Sequence, residues 1–161
     1  MNSIIEKPNK SNMLKASKLL HNGKLVVFPT ETVYGLGADA SNDLAIKKLY
    51  KAKNRPTKNP LIVHYYDLKM LKNDCKLNEN FFYLFKKFSP GPITFVLKLK
   101  KNSNVSKIVT NNQKTLAVRF PNHHLAIKLL KILKYPLAAP SANISSKISP
   151  VTKEDVKDEF G

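Results

Sequence analysis

FPTETVYGLGADA, residues 28–40, is the stretch around which the rest of the chain is organised. Four apolar residues, 25–28, predict a short strand running into Pro29, which lacks an amide donor and fixes φ. Thr30 and Thr32 then place hydroxyls on alternate residues. Tyr34 follows, with a Gly-Leu-Gly unit at Gly35 and Gly37 that reads as a turn. If the strand continues past Pro29, period-two alternation puts Thr30, Thr32 and Tyr34 on one face. Neither GxxxxGK[ST] nor GxGxxG occurs, so no phosphate loop of those kinds is expected. Taken alone, the stretch is equally a strand end closed by turn glycines.

Length and composition frame it. With 161 residues and 42% hydrophobic content, the chain is expected to form one domain with a real core. No run reaches the ~18 apolar residues of a membrane span, and MNSIIEKPNK at the N-terminus carries no secretory apolar core. Cys75 is the one cysteine, which leaves no internal disulfide or cysteine metal site. A reducing, cytoplasmic setting without membrane association is therefore expected. The formal charge of +17 implies affinity for polyanions, yet it is almost wholly lysine. Of 28 basic residues only Arg55 and Arg119 are arginines, leaving 26 lysines. In that background each arginine marks a place that needs a planar, forked donor for carboxylate or phosphate, or else a buried ion pair.

The remaining elements follow from periodicity and punctuation. Ser11 is expected to cap a helix to about Asn22, with Leu14, Leu19 and Leu20 inward and Gly23 as its stop. Ser41 is expected to cap a second helix, 42–52, with Leu44, Ala45 and Leu49 inward. LIVHY, 61–65, predicts a buried strand containing His64, which is either a satisfied core histidine or a site residue. A short helix over 67–71 and an aromatic one over 78–88 precede a rigid SPGP turn at 89–92. Strands over 93–99, 115–120 and 136–139, a helix over 123–133, and a last helix over 153–160 capped by Thr152 complete the set. Residues 100–112 read as a polar, flexible loop. The class is α/β or α+β with a twisted mixed sheet and flanking helices.

The unusual polar residues Thr30, Thr32, Tyr34, His64, Thr115, Arg119, Ser141 and Asn143 all lie in or just past apolar strands. They are expected to gather at one edge of the sheet. Lys53, Arg55 and Lys58 add cations on the loop leaving the second helix, and the set suits phosphates. No metal triad, Ser-His-Asp arrangement or carboxylate pair is evident, which favours chemistry by positioning and charge stabilisation.

FPTETVYGLGADA, Lys53-Asn54-Arg55 with Asn59-Pro60-Leu61, the LIVH strand, SPGPITFVL, VRFPNH and APSANISSKISP occur in order from about 14 to 156. Together they resemble the YrdC family, the threonylcarbamoyl-AMP synthases of tRNA modification. The resemblance implies one YrdC-like domain over 1–161 with a large basic cavity. It implies an enzyme that makes threonylcarbamoyl-AMP and pyrophosphate from L-threonine, bicarbonate and ATP. A downstream enzyme would move the threonylcarbamoyl group to the adenosine beside the anticodon, and direct tRNA or RNA binding is a further expectation. By the same resemblance Lys53, Arg55, Ser141 and Asn143 are catalytic at the ATP phosphates, with Asn59, Thr115 and Ser149 also on the nucleotide. Thr32, His64 and Arg119 match threonine positions, and Thr30, Tyr34 and Lys58 line the wall. Magnesium would ride on ATP, with no protein-bound metal. Family members continue into a Gly-rich hairpin and a further strand, which do not follow here before Gly161. Two other readings are a non-catalytic RNA-binding module of this fold and a related carbamoyl-adenylate enzyme.

Overall fold

The computed structural model describes residues 4–161; residues 1–3, at the head of the segment read as lacking a secretory core, lie outside it. Its centre is the quoted stretch, which forms a β-hairpin. Strand β1 (Val26–Pro29) pairs antiparallel with β2 (Tyr34–Asp39), Val26 opposite Gly37 and Pro29 opposite Tyr34. The extended run therefore does not continue past Pro29, and Gly35 and Gly37 are strand residues rather than a turn. The turn is residues 30–33, closed by Thr30, whose hydroxyl donates to the Val33 carbonyl at 2.6 Å. Gly37 is required by packing: a Cβ there would stand 2.8 Å from the Phe28 ring, which lies across β2.

The hairpin is one flank of a six-stranded mixed sheet, with β3 (Ile62–His64), β4 (Phe95–Lys98), β5 (Thr115–Arg119) and β6 (Leu137–Ala138) in the spatial order β1-β2-β6-β3-β5-β4. Only β3 and β5 are parallel neighbours, with His64 opposite Arg119. Because β6 runs against β2 and β3, the polar residues do not share one strand-end edge. His64 and Arg119 close the C-terminal ends of β3 and β5. Thr115, Tyr34 and Ser141 lie by register at the opposite end, Ser141 bridging to Gly35.

Among the described residues six helices flank the sheet: α1 (Lys10–His21), α2 (Asp43–Ala52), α3 (Leu68–Asp74), α4 (Glu79–Phe88), α5 (His124–Leu133) and α6 (Lys153–Phe160). Asn9 and Asn42, not Ser11 and Ser41, cap α1 and α2 through their side-chain oxygens. Ser41 is instead taken up by Asp39. Packed on α5 and β2 respectively, α1 buries Met13 and Leu20 while Leu14 and Leu19 face out, and α2 buries Ala45, Ile46, Leu49 and Tyr50 while Leu44 is exposed. On α4 Phe81 is buried and Phe85 half-buried against Phe95 and Phe120; Phe82, Leu84 and Phe88 are largely exposed. Residues 100–112 are packed rather than free. Val105 and Val109 are buried, and backbone bonds from Ser106 to Ala40 and from Leu61 to Val109 fasten the segment to β2 and β3. Among the described residues no helix is long and apolar enough to cross a membrane.

Candidate functional site

The site has two halves joined by the β1–β2 hairpin. At its tip, the hairpin curls over the sheet face that carries His64 and Arg119. Arg119 Nη2 donates to Glu31 Oε1 at 2.9 Å and to Thr32 Oγ1 at 3.1 Å. Both charged side chains are largely covered, 13% and 16% exposed. Burial pushes the Glu31 carboxyl up, but the hydrogen bond and charge of Arg119 and the backbone N–H dipoles of Glu31 and Asn122 outweigh it and leave the pKa below normal. Glu31 is thus ionised.

His64 lies against Phe28, ring edge to face with centroids 6.2 Å apart. Burial lowers its pKa to about 4, helped by the Arg119 charge and opposed by Glu31, so the ring is neutral near pH 7. Three buried atoms here have no hydrogen-bond partner among the described residues: Glu31 Oε2, Arg119 Nε and His64 Nδ1. Unpaired buried polar atoms are costly. All three belong to the group formed by Glu31, Arg119 and His64, which makes that group a candidate ligand site. Glu31 escaped the reading of the sequence because its partner is 88 residues away; its position between two threonines was the available signal.

The second half forms where α2 ends. Lys53 is 1% exposed, and its ammonium donates to the carbonyls of Ser141, at 2.6 Å, and of Asn143. The Ser145 N–H returns a bond to the Lys53 carbonyl. Lys53 is therefore a clamp on the loop that carries Ser141 and Asn143, with two of its three N–H groups engaged, rather than an open cation. Burial, then the neighbouring Arg55, lowers its pKa to about 8, with Glu159 pulling the other way. Asn143 folds the loop on itself, donating to the Ile144 and Lys147 carbonyls at 2.9 and 2.8 Å and leaving Oδ1 buried without a partner. From α6, Glu159 fastens the same loop through the Ile144 N–H at 2.7 Å and Lys147 Nζ at 3.1 Å.

Arg55 is half-buried and donates through Nε and Nη2 to the carbonyls of Asn59 and Pro60. Among the described residues it has no carboxylate partner. Asn59, Lys58 and Thr115 are exposed, and Ser141 and Ser149 are partly so. Tyr34 joins the halves: its N–H donates to the Pro150 carbonyl and its carbonyl accepts from Ala142 N–H. The same hairpin therefore holds Arg119 through its turn and the Ser141–Pro150 segment through Tyr34, the first residue of β2. No site residue lines the hollows of about 300 Å³ beside Tyr135 and about 470 Å³ beside Lys128.

Comparison with known proteins identifies the family and the fold. A family model labelled Sua5_yciO_yrdC and described as "Telomere recombination" matches residues 18–161. The "Threonylcarbamoyl-AMP synthase" of Pyrococcus abyssi is 45% identical over 146 residues, 90% of this chain and 42% of that protein. The protein of the same name from Bacillus subtilis is 45% identical over 149 residues, 92% of this chain and 43% of its own length. The crystal structure of P. abyssi Sua5 complexed with L-threonine superposes with a TM-score of 0.91 at 42% identity, covering 96% of this chain and 45% of that one. The chain spans about two-fifths of the length of these curated relatives.

Proposed function

The chain belongs to the Sua5–YciO–YrdC family, and on that premise we propose that it makes threonylcarbamoyl-AMP and pyrophosphate from L-threonine, bicarbonate and ATP. The carrying observation is the double attachment of the hairpin, to Arg119 through Thr32 and to the Ser141–Pro150 segment through Tyr34. One stiff element thus fixes a carboxylate-binding group relative to a phosphate-binding loop, as a reaction between an amino acid and a nucleotide requires.

In this proposal residues 1–161 act as one domain of the family's kind. Threonine sits on Arg119, Thr32 and the neutral His64. ATP takes Arg55, Asn59, Thr115, Ser141, Asn143 and Ser149, while Thr30, Tyr34 and Lys58 complete the wall. Lys53 holds the Ser141 and Asn143 carbonyls in place and has one N–H left for a phosphate oxygen. The threonine amine condenses with bicarbonate, losing water, to give a carbamate. A carbamate oxygen then attacks the α-phosphorus, and the bond to pyrophosphate breaks. Arg55, with Lys53 behind it, stabilises the charge that develops on the departing group. Magnesium would be carried by the triphosphate itself.

The product is then consumed by a separate transferase acting on tRNA, in the cytoplasm, and the lysine-rich surface supplies general affinity for RNA. Incubation with ATP, L-threonine and carbon-13 bicarbonate tests the reading by mass spectrometry. The expected product is an adenylate carrying both threonine and the label; AMP or ADP without any labelled adduct would overturn it.

A further inference from the structure

Glu31 has no role in the reaction just described, yet it is the ion-pair partner of Arg119, on which threonine is placed. It stands at the hairpin tip with one oxygen on Arg119 and the other buried and without a partner. The Glu31 carboxylate offsets the Arg119 guanidinium, and the His64 ring, on the strand beside Arg119, is neutral. This patch is therefore electrically balanced before any ligand arrives.

That balance discriminates between ligands. A plain hydroxy acid would bring a carboxylate alone, adding net negative charge to a largely covered patch and facing Glu31 directly. An α-amino acid brings a carboxylate for the guanidinium N–H groups that Glu31 leaves open, and an ammonium for the unpartnered oxygen. Glu31 Oε2 and the open guanidinium N–H groups then gain partners, and the patch stays balanced.

We infer that Glu31 is the specificity-determining residue that makes the Arg119 site accept a zwitterionic α-amino acid and reject a simple carboxylate. The inference rests on the threonine reading above.

The test is calorimetric titration of L-threonine and of its deaminated counterpart, 2,3-dihydroxybutanoate, into the full chain and its Glu31→Gln and Glu31→Asp variants, with ATP titrated in parallel. The unaltered chain should prefer threonine by tenfold or more. Glu31→Gln should bind threonine about tenfold more weakly and the deaminated acid as well or better, so that the preference collapses. Glu31→Asp keeps the charge and should keep the preference. Equal weakening of both ligands in Glu31→Gln would overturn the inference, because Glu31 would then merely orient Arg119. Tighter threonine binding would overturn it too, because Glu31 would then compete with the substrate carboxylate. If the unaltered chain binds ATP but no threonine, the threonine reading itself falls and this inference with it.

Discussion

Replacing Lys53 by Met keeps the aliphatic stem and removes the ammonium that clamps Ser141 and Asn143. Two hydrogen bonds from a charged donor contribute about 1.5–3 kcal/mol each, or about 3–6 kcal/mol together. Against this stands the burial of the ammonium. Its pKa falls from 10.5 to about 8, a difference equivalent to about 3 kcal/mol disfavouring the charged form. The net loss of stability is thus about 0–3 kcal/mol, and at ~2–4 °C per kcal/mol for a chain of this size Tm should fall by no more than about 12 °C.

The larger effect of Lys53→Met should be local. Amide hydrogen exchange over residues 141–147 should accelerate, and ATP should bind at least about tenfold more weakly while threonine affinity holds. Raising pH adds a second signature. Between about 8 and 10.5 the unfolded chain keeps a proton on Lys53 that the native chain has lost, so this group's contribution to stability rises with pH. ATP affinity should meanwhile fall as the clamp loses its charge. The Met variant should show neither pH dependence. Unchanged exchange in the loop together with unchanged ATP affinity would refute the clamp.

His64 works in the opposite pH range: as pH falls from 6.5 toward 4 the unfolded chain takes up a proton that the native ring refuses. Stability measured by denaturant titration should drop by up to about 3 kcal/mol over that span, and His64→Gln should flatten the curve. Arg55→Ala should weaken ATP binding about tenfold or more and spare threonine. Arg119→Lys should weaken threonine and spare ATP, since a point charge cannot supply the paired planar donors of a guanidinium; an exchange of these effects would reassign the two halves. Glu159→Ala should raise the KM for ATP more than Glu159→Gln, which keeps an acceptor for the Ile144 N–H; equal effects would remove Glu159 from positioning the loop.

Features whose causes are local were legible in the chain. Thr152 announces α6 because the whole capping box lies within four residues, and the structure forms both of its bonds. The mixed sheet and every element type except β2, read as a turn, followed from short apolar runs set between polar, capped segments. Helix starts were misplaced where two good capping residues stand close together, as with Ser41 and Asn42. There a distant or neighbouring partner, here Asp39, decides which one is free. The inward faces of α1 and α2 also differ from the expected ones, leaving Leu14 and Leu44 exposed. Gly37 looked like a turn residue because the Phe28 ring that excludes a side chain there crosses from the paired strand. The two arginines pointed to both halves of the site, but the Glu31–Arg119 pair and the Lys53 clamp each span about 90 residues of chain. Only the folded sheet brings such groups together.

The central claim is that these two halves act as one centre for joining threonine, bicarbonate and ATP. The most direct measurement is pyrophosphate release, followed with each component omitted in turn and then with Arg55→Ala and Arg119→Lys. The account predicts release that requires threonine and bicarbonate together, and that falls in both variants. Release at an undiminished rate without threonine or without bicarbonate would contradict it.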